Sequence, residues 1–362
     1  MKKTALYSKH LALNARMVTY AGFEMPLQYQ RVTQEHQAVR NQLGLFDVSH
    51  MGEFILEGPH ALDLIQKVTT NDAARLKVGQ AQYSCMTHPQ GGILDDLILY
   101  RLDPARYMLV LNAANLEKDW NWLKQQDEWQ TPMRDASDQT ALLAVQGPKA
   151  EQVLQGLTDK NLSDISSYHF NRGRLATAED VLLSRTGYTG SGGFELYLPR
   201  EEATSVWEHL TEAGSKAGIR ACGLAARDTL RLEMGYCLYG NEIDENISPL
   251  EARLGWITRF NKAFVGAEVL KKQKAEGVQR KRIGFEVIGQ GIPRKGYELQ
   301  DAQQNPIGRV TSGAQSPSLG KGIGLGYVKV DFAKPGTPIN VQIRGKAVPA
   351  KIAALPFYKG AH

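Results

Sequence analysis

Two adjacent aspartates, Asp95 and Asp96, stand inside the run GGILDDLILY, residues 91–100. The run has the apolar character of a β-strand, whose successive side chains point to opposite faces. Ile93, Asp95, Leu97 and Leu99 then share one face, and Leu94, Asp96, Ile98 and Tyr100 the other. One carboxylate must therefore enter the interior with aliphatic neighbours, which is costly unless it is paired or hydrogen-bonded. Such a charge can stabilise developing positive charge or accept a proton. The flanking runs bear on its use. AQYSCMTH turns at Pro89–Gly92 into the aspartate strand, which turns at Asp103–Arg106 into YMLVLNA. A two-residue loop at Pro89–Gln90 sets Asp96 opposite Tyr83, to within one residue. A second turn centred on Pro104–Ala105 sets it opposite Ala113 or Asn112. A tyrosine, a carboxylate and an amide converge on one small sheet. The bland alternative leaves Asp95 on a solvent face and lets Asn112 or backbone groups satisfy Asp96, because structural networks also surround charges.

A second group lies in SRTGYTGSGGFEL, residues 184–196. Its glycines invite a phosphate-loop reading, but neither the Walker pattern nor a GxGxxG opening a helix is present, and SLGKGIG fails equally. The stretch reads instead as a tight loop presenting Tyr188 and Glu195. A carboxylate flanked by Phe194 and Leu196 suits a ligand with two adjacent N–H donors, such as a guanidinium or a pterin. In GLAARDTLRLE, Arg227 and Arg231 lie one helical turn apart. Arg227 is either a solvated surface charge or a partly buried anion clamp. FDVSHMGEF carries His50 and Met51; without a His-x-x-His or facial carboxylate it does not read as a metal site. Met51 suits the side of a flat ligand, being soft and adaptable.

The elements that must position these groups mix strands and helices without strict βαβ alternation, which predicts an α+β fold. Helices are expected at about 33–43, ended by Gly44, and within PHALDLIQKVTTND, EKDWNWLKQQ, EEATSVWEHLTEAGSKAG and GLAARDTLRLEMG. No internal repeat is evident. Beyond residue 280 short alternating runs separated by Gly, Pro, Asn and Asp predict a small all-β barrel or sandwich. KKQKAEGVQRKR reads as the linker, which divides the chain into residues 1–275, with two α+β subdomains, and a barrel domain at 276–362.

The 362 residues, 42% hydrophobic and 22% charged, suit a soluble globular protein of two or three domains. No apolar run approaches a membrane helix. MKKTALYSKHLALNAR is interrupted too early by polar residues to be a secretory signal. Cys85, Cys222 and Cys237 have no metal spacing and read as reduced thiols of a cytoplasmic protein. The net charge of +5 is dispersed apart from Arg280–Arg282. It lacks the local concentration that nucleic-acid binding needs, and fits an acidic substrate or protein partner.

Taken in order, AGFEMPLQY, FDVSHMGEF, TTNDAARL, GGILDDLILY, LNAANLEKDW, QGPKA, SRTGYTGSGGFEL, GLAARDTLRLEMGYCLYGNEIDENISPLEA, FVG and RVTSGAQSPSLGKGIGLGYV resemble the aminomethyltransferase of the glycine cleavage system, the T-protein family. Departures are small: Ala225 stands where the family more often has glycine, and Ser191-Gly192 replaces a commoner acidic pair. The resemblance implies three domains around a central cavity that holds tetrahydrofolate, the last domain being a β-barrel. It also implies that Asp96 is the catalytic aspartate, Glu195 the pterin-binding carboxylate and Arg227 a folate contact. Met51, Tyr83, Asn112, Tyr188 and Tyr236 match further folate-cavity positions, and PFYKGAH is expected near the folate tail. The implied reaction, in glycine catabolism, passes an aminomethyl carbon from the lipoyl group of H-protein to tetrahydrofolate, a co-substrate, with no metal. The products are 5,10-methylenetetrahydrofolate, ammonia and dihydrolipoyl H-protein. A folate enzyme with another one-carbon donor is disfavoured by the lack of a dinucleotide fingerprint, and a non-catalytic folate-binding accessory protein by the motifs above.

Overall fold

The computed structural model of the chain describes residues 1–360, so Ala361 and His362 of PFYKGAH lie outside the described residues. Helix α1 (Tyr7–Ala12), a hairpin of β1 (Arg16–Tyr20) and β2 (Phe23–Gln28), and helix α2 (Val32–Asn41) lead into β3 (Leu43–Asp47). Gly44 thus lies inside a strand rather than ending the helix. A Cβ there would stand 2.3 Å from Val39 Cγ2, so the residue serves close packing.

Two units of like order follow. The first runs β4 (Gly52–Glu57), α3 (Ala61–Val68), β5 (Ala81–Thr87), β6 (Ile93–Asp103), β7 (Arg106–Leu111) and α4 (Leu116–Gln126), and ends in β8 (Met133–Asp135). The second runs β9 (Thr140–Gln146), α5 (Ala150–Gln155), β10 (Phe170–Leu175), β11 (Ala178–Ser184), β12 (Gly193–Pro199) and α6 (Ala203–Gly214), and ends in β13 (Ile219–Ala221). Their sheets share the order of four strands, β5-β6-β7-β4 and β10-β11-β12-β9; the first then ends in β8, while the second inserts β3 before β13. The chain therefore contains a structural repeat that the sequence does not advertise. What survives in sequence is a Gly-Pro-x-Ala frame opening α3 and α5, in EGPHALDLIQKV and QGPKAEQVLQGL. The remaining positions preserve burial rather than residue identity, so they leave no visible self-similarity.

The sheets pack face to face. Ile55, Tyr100, Met108 and Val110 of the first meet Phe46, Leu142, Ala144, Leu182 and Tyr197 of the second. The outer faces are covered by Leu64, Ile65 and Leu123 of α3 and α4, and by Val153, Leu154, Val206 and Trp207 of α5 and α6. Strands buried on both faces read as nearly continuous apolar runs, as β6 and β9 do.

Helix α7 (Leu224–Met234) follows, then a long connection and α8 (Ala267–Glu276). Much of the expected linker is therefore helical, because Ala267 and Leu270 find a buried partner in Phe264. A closed barrel completes the chain: β14 (Arg280–Val287), β15 (Glu298–Gln300), β16 (Pro306–Gln315), β17 (Gly322–Lys329), β18 (Pro338–Ile343) and β19 (Lys346–Ala353). Among the described residues no helix is long and apolar enough to cross a membrane.

Buried Glu233, on α7, clips α2 and the barrel together. It accepts from Arg40 Nη2 at 2.7 Å, Ser318 Oγ at 2.9 Å and Ser318 N at 3.1 Å, and lies 3.2 Å from His36 Nε2. Its backbone carbonyl takes the N–H groups of Phe357 and Tyr358. Burial pushes its carboxyl up from 4.5, but His36, Ser316 and Arg40 outweigh that and hold it at about 2. A depressed folded value gives stability that is present above the ordinary carboxylate range and lost as pH falls through the folded value. The gap corresponds to about 3 kcal/mol. Glu233→Gln is accordingly expected to melt well below the native protein at neutral pH. The two melting temperatures should converge as pH falls from about 4.5 towards 2; a gap unchanged over that range would refute the assignment.

Candidate active site

The aspartate strand takes its place through an irregular hairpin. The loop His88–Gly92 is longer than a two-residue turn, and the register shifts between Met86 and Thr87. Asp96 therefore pairs with Cys85, and Tyr83 with Ile98. The expected pairing is two residues out, but an even offset keeps Tyr83 on the same face as Asp96. Its hydroxyl donates to Asp96 Oδ2 at 2.8 Å. On the other side Ile98 pairs with Val110, which brings Asn112 level with Asp96. Asn112 Nδ2 donates to Asp96 Oδ1 at 2.9 Å and to Asp95 Oδ1 at 2.8 Å.

Asp95 is not on a solvent face. It is fully buried beneath α4 and accepts from Asn112 N at 3.2 Å and Asn115 Nδ2 at 2.6 Å. The simple alternation also fails at the start of β6. The register irregularity puts Leu94 with Leu97 and Leu99, while Ile93 lies with Cys85 and Ile247. A bulge of this kind re-aims side chains.

Asp96 and Tyr83 retain partial contact with solvent although both are deeply enclosed by protein. That combination describes groups lining a recess. Burial, and then the charge of Asp95, pushes the Asp96 carboxyl up to about 7 against the pull of Tyr83 and Asn112. Trp256, 60% exposed, stands at its edge with its ring 6.1 Å from that of Tyr83.

The second sheet and α7 supply the rest. Glu195 on β12 is buried, and its Oε2 accepts from Thr186 Oγ1 at 2.6 Å. Thr186 belongs to a hydroxyl cluster with Ser184 at 2.9 Å and Tyr100 at 3.2 Å, and Tyr100 reaches Tyr197 at 3.1 Å. Burial raises the Glu195 carboxyl, with Thr186 and then Arg227 opposing. Glu195 Oε1 has no hydrogen-bond donor among the described residues, and the Arg227 guanidinium no acceptor. Arg227 lies 4.7 Å over the Tyr188 ring, which stacks on Tyr236 at 5.7 Å. The Tyr188 hydroxyl donates to the Cys237 carbonyl. Tyr236 is partly exposed beyond the end of α7, and Met51, like Ile98, packs on the inter-sheet cluster.

The glycine-rich loop is built for close packing. Gly190 and Gly193 have φ of +67° and +119°, and a Cβ at Gly193 would meet Val145 O at 2.2 Å. His50 is buried, and burial and then the Arg227 charge hold it down at about 4. No grouping of acidic, histidine and cysteine side chains suited to a metal occurs among the described residues. An open cleft of about 900 Å³ at another edge of the sheet pair, near Ile55, Leu102 and Arg172, contains none of the residues expected at the folate site.

Several partners of the site escape the sequence. Thr186 and Tyr100 meet only because the sheets stack. Asp119 carried a usable signal: Leu116, Asp119, Trp120 and Leu123 fall on one helical stripe, which places an acid on the buried face.

Residues 6–262 match the GCVT N-terminal domain, and residues 280–359 the glycine cleavage T-protein C-terminal barrel domain. An aminomethyltransferase of Flavobacterium psychrophilum is 54% identical over 359 residues, covering 99% of this chain and 100% of its own. One from Halothermothrix orenii is 51% identical over 358 residues, with the same coverage. The crystal structure of glycine cleavage system aminomethyltransferase T from Bartonella henselae superposes with a TM-score of 0.93 at 36% identity, covering 100% of this chain and 99% of that one.

Proposed function

The chain belongs to the glycine cleavage T-protein family, the aminomethyltransferases, and from that premise we propose how its own residues serve the transfer. The reaction moves an aminomethyl carbon from a lipoyl sulfur to tetrahydrofolate. Ammonia and the dihydrolipoyl carrier are released, and 5,10-methylenetetrahydrofolate is formed. The donor is lipoylated H-protein, and the setting is the cytoplasm.

Asp96 carries the reading. It is a carboxylate held by Tyr83 and Asn112 at the wall of a recess, with a protonation midpoint of about 7. A group poised there is shared between acid and base forms near neutral pH, which suits proton exchange with a folate nitrogen. Loss of thiolate from the aminomethyl thioether leaves an iminium, and the ionised form of Asp96 stabilises that positive charge in a setting of few competing dipoles. Glu195 offers Oε1, and the remaining lone pair of Oε2 beside Thr186, to the ring N–H and amino group of the pterin, and Arg227 offers uncommitted donors. Met51, Tyr188 and Tyr236 supply apolar surface for a flat ring. Holding both reactants in one recess supplies much of the remaining acceleration.

The experiment is an assay of ammonia release from aminomethylated lipoyl carrier, with and without tetrahydrofolate. Release is expected to rise at least about 100-fold with folate, a gain within the reach of reactant positioning. Folate binding with no stimulated release would overturn the transferase reading.

A further inference from the structure

We infer that Asp95 and Asp119 form a proton-sharing acid pair behind Asp96, in which Asp119 keeps the proton, Asp95 keeps the charge, and that fixed charge tunes Asp96 as a proton acceptor. The inference rests on Asp96 being the reacting carboxylate.

The two acids are treated differently by their surroundings. Asp95 receives hydrogen bonds from Asn112 N, Asn112 Nδ2 and Asn115 Nδ2. Both Asp119 oxygens are buried and receive no N–H or hydroxyl donor, and its neighbouring acceptor is the Asp95 carboxyl. Two carboxyl groups in contact away from water cannot both be ionised. The proton stays where no donor would compensate a charge, so Asp119 is the acid and its O–H is the remaining donor to Asp95. The opposite assignment would leave three N–H groups facing a neutral acid and a bare charge on Asp119, which is far costlier.

The pair is wired to the site by one amide. Asn112 Nδ2 donates to Asp95 Oδ1 and to Asp96 Oδ1, so the three acids share a single rigid frame. Other ionisable groups near Asp96 are Tyr83 and Cys85 on β5, Tyr188 in the β11–β12 loop and Cys237 after α7; burial raises all of them, so they stay neutral through the working range. Near the pair stand Lys118, bonded to the Leu94 carbonyl and the Tyr239 hydroxyl and paired with half-exposed Glu245 at 3.2 Å, and Tyr239 itself, whose hydroxyl is also raised by burial. Asp95 is therefore the charge that acts on Asp96 at neutral pH. An amide at position 95 keeps the oxygen that accepts from Asn112 Nδ2 and Asn115 Nδ2, so Asp95→Asn removes the charge together with one acceptor, the Oδ2 that takes the Asn112 backbone N–H.

The test is the pH profile of folate-dependent ammonia release by the full chain, with infrared spectroscopy beside it. In Asp95→Asn the acidic limb should move down by about one pH unit, the ordinary size of a like-charge effect. Asp119→Leu removes the O–H that helps hold the charge on Asp95, so Asp95 takes up a proton more readily and the limb should move in the same direction by a smaller amount; Asp119→Asn, whose amide N–H replaces that donor, should restore it. An unmoved limb in a folded Asp95→Asn protein, or no rescue by asparagine at 119, would overturn the inference. The native protein at about pH 8 should show the stretch of a neutral carboxylic acid, well above ordinary carboxyl titration, and Asp119→Asn should diminish it. An unchanged band would also overturn it, even if Asp95→Asn failed to fold. Full activity in Asp96→Asn would instead refute the underlying assignment of Asp96.

Discussion

Asp96→Asn is expected to lose folate-dependent ammonia release by about 10²–10⁴-fold, the usual range for removing a positioned proton acceptor, while still binding tetrahydrofolate. The substitution is unusually well tolerated by its surroundings. Asp96 Oδ1 accepts from Asn112 and Oδ2 from the Tyr83 hydroxyl. An asparagine can keep its oxygen towards Asn112 and turn its amide towards Tyr83, whose hydroxyl can accept as well as donate. No buried polar atom is orphaned, so the recess keeps its shape, and Glu195 and Arg227 lie on other elements. What is lost is the negative charge and the ability to take a proton. On the proposed role of Asp96, in which the ionised form takes the proton, the native protein should itself lose activity as pH falls through about 7. The asparagine variant should lack that limb. Folate affinity by calorimetry and release of ammonia, measured together, separate the outcomes: equal loss of binding and rate would make Asp96 a binding residue rather than the reacting one.

Arg231→Met is expected to destabilise the protein by about 3–5 kcal/mol, the cost of leaving a buried ion-pair partner alone. The Arg231 side chain is fully buried, with donors directed at Asp228 (2.7 and 2.9 Å), Glu242 (2.7 Å), the Tyr236 carbonyl (3.1 Å) and Ser312 (2.8 Å). Every N–H of the guanidinium fork is thereby used. Glu242 is bound in turn by the Leu238 N–H and the Thr311 hydroxyl. Methionine would leave Glu242 buried without its counter-charge and would loosen the barrel strand β16 from α7. Arg227→Met makes the contrast. That guanidinium has no protein acceptor among the described residues, so its removal should cost little stability and weaken folate binding instead. Denaturant unfolding and folate titration of both variants check this. An Arg231→Met protein as stable as the native one would show that the network contributes nothing net.

The contrast between these arginines shows where sequence patterning reaches its limit. One turn of helix puts them on one face, as GLAARDTLRLE implies. Neither propensity nor spacing says that one would meet Glu242 and a barrel serine while the other would be left uncommitted above Tyr188. Ser312 and Tyr188 lie in segments remote along the chain, and Glu242 is brought back by the turns that follow α7. The same limit governs the aspartates. The alternating pattern shows that one of them must be buried with aliphatics, and the turn residues bring Tyr83 and Asn112 to the same sheet. A register error of two residues does no harm to that expectation, because strand faces repeat every second residue. A bulge of one residue does: it moves Ile93 to the other side of β6.

The sequence by itself determined the local, periodic features of this protein. These are the helices and strands that its apolar spacing encodes, the change to an all-β region beyond residue 280, and the motif strings that carry the family resemblance. The tertiary structure decided what covers each face. A sheet with solvent on one side would have left Asp95 wet and ordinary. Here helices cap one face and a second sheet the other, so Asp95 is dry and bound by Asn112 and Asn115. Asp96 opens on a recess, and Thr186 is set beneath Glu195. The physical reason is that the cost of a buried charge depends on donors and solvent contributed by distant segments, and no window of neighbouring residues contains them.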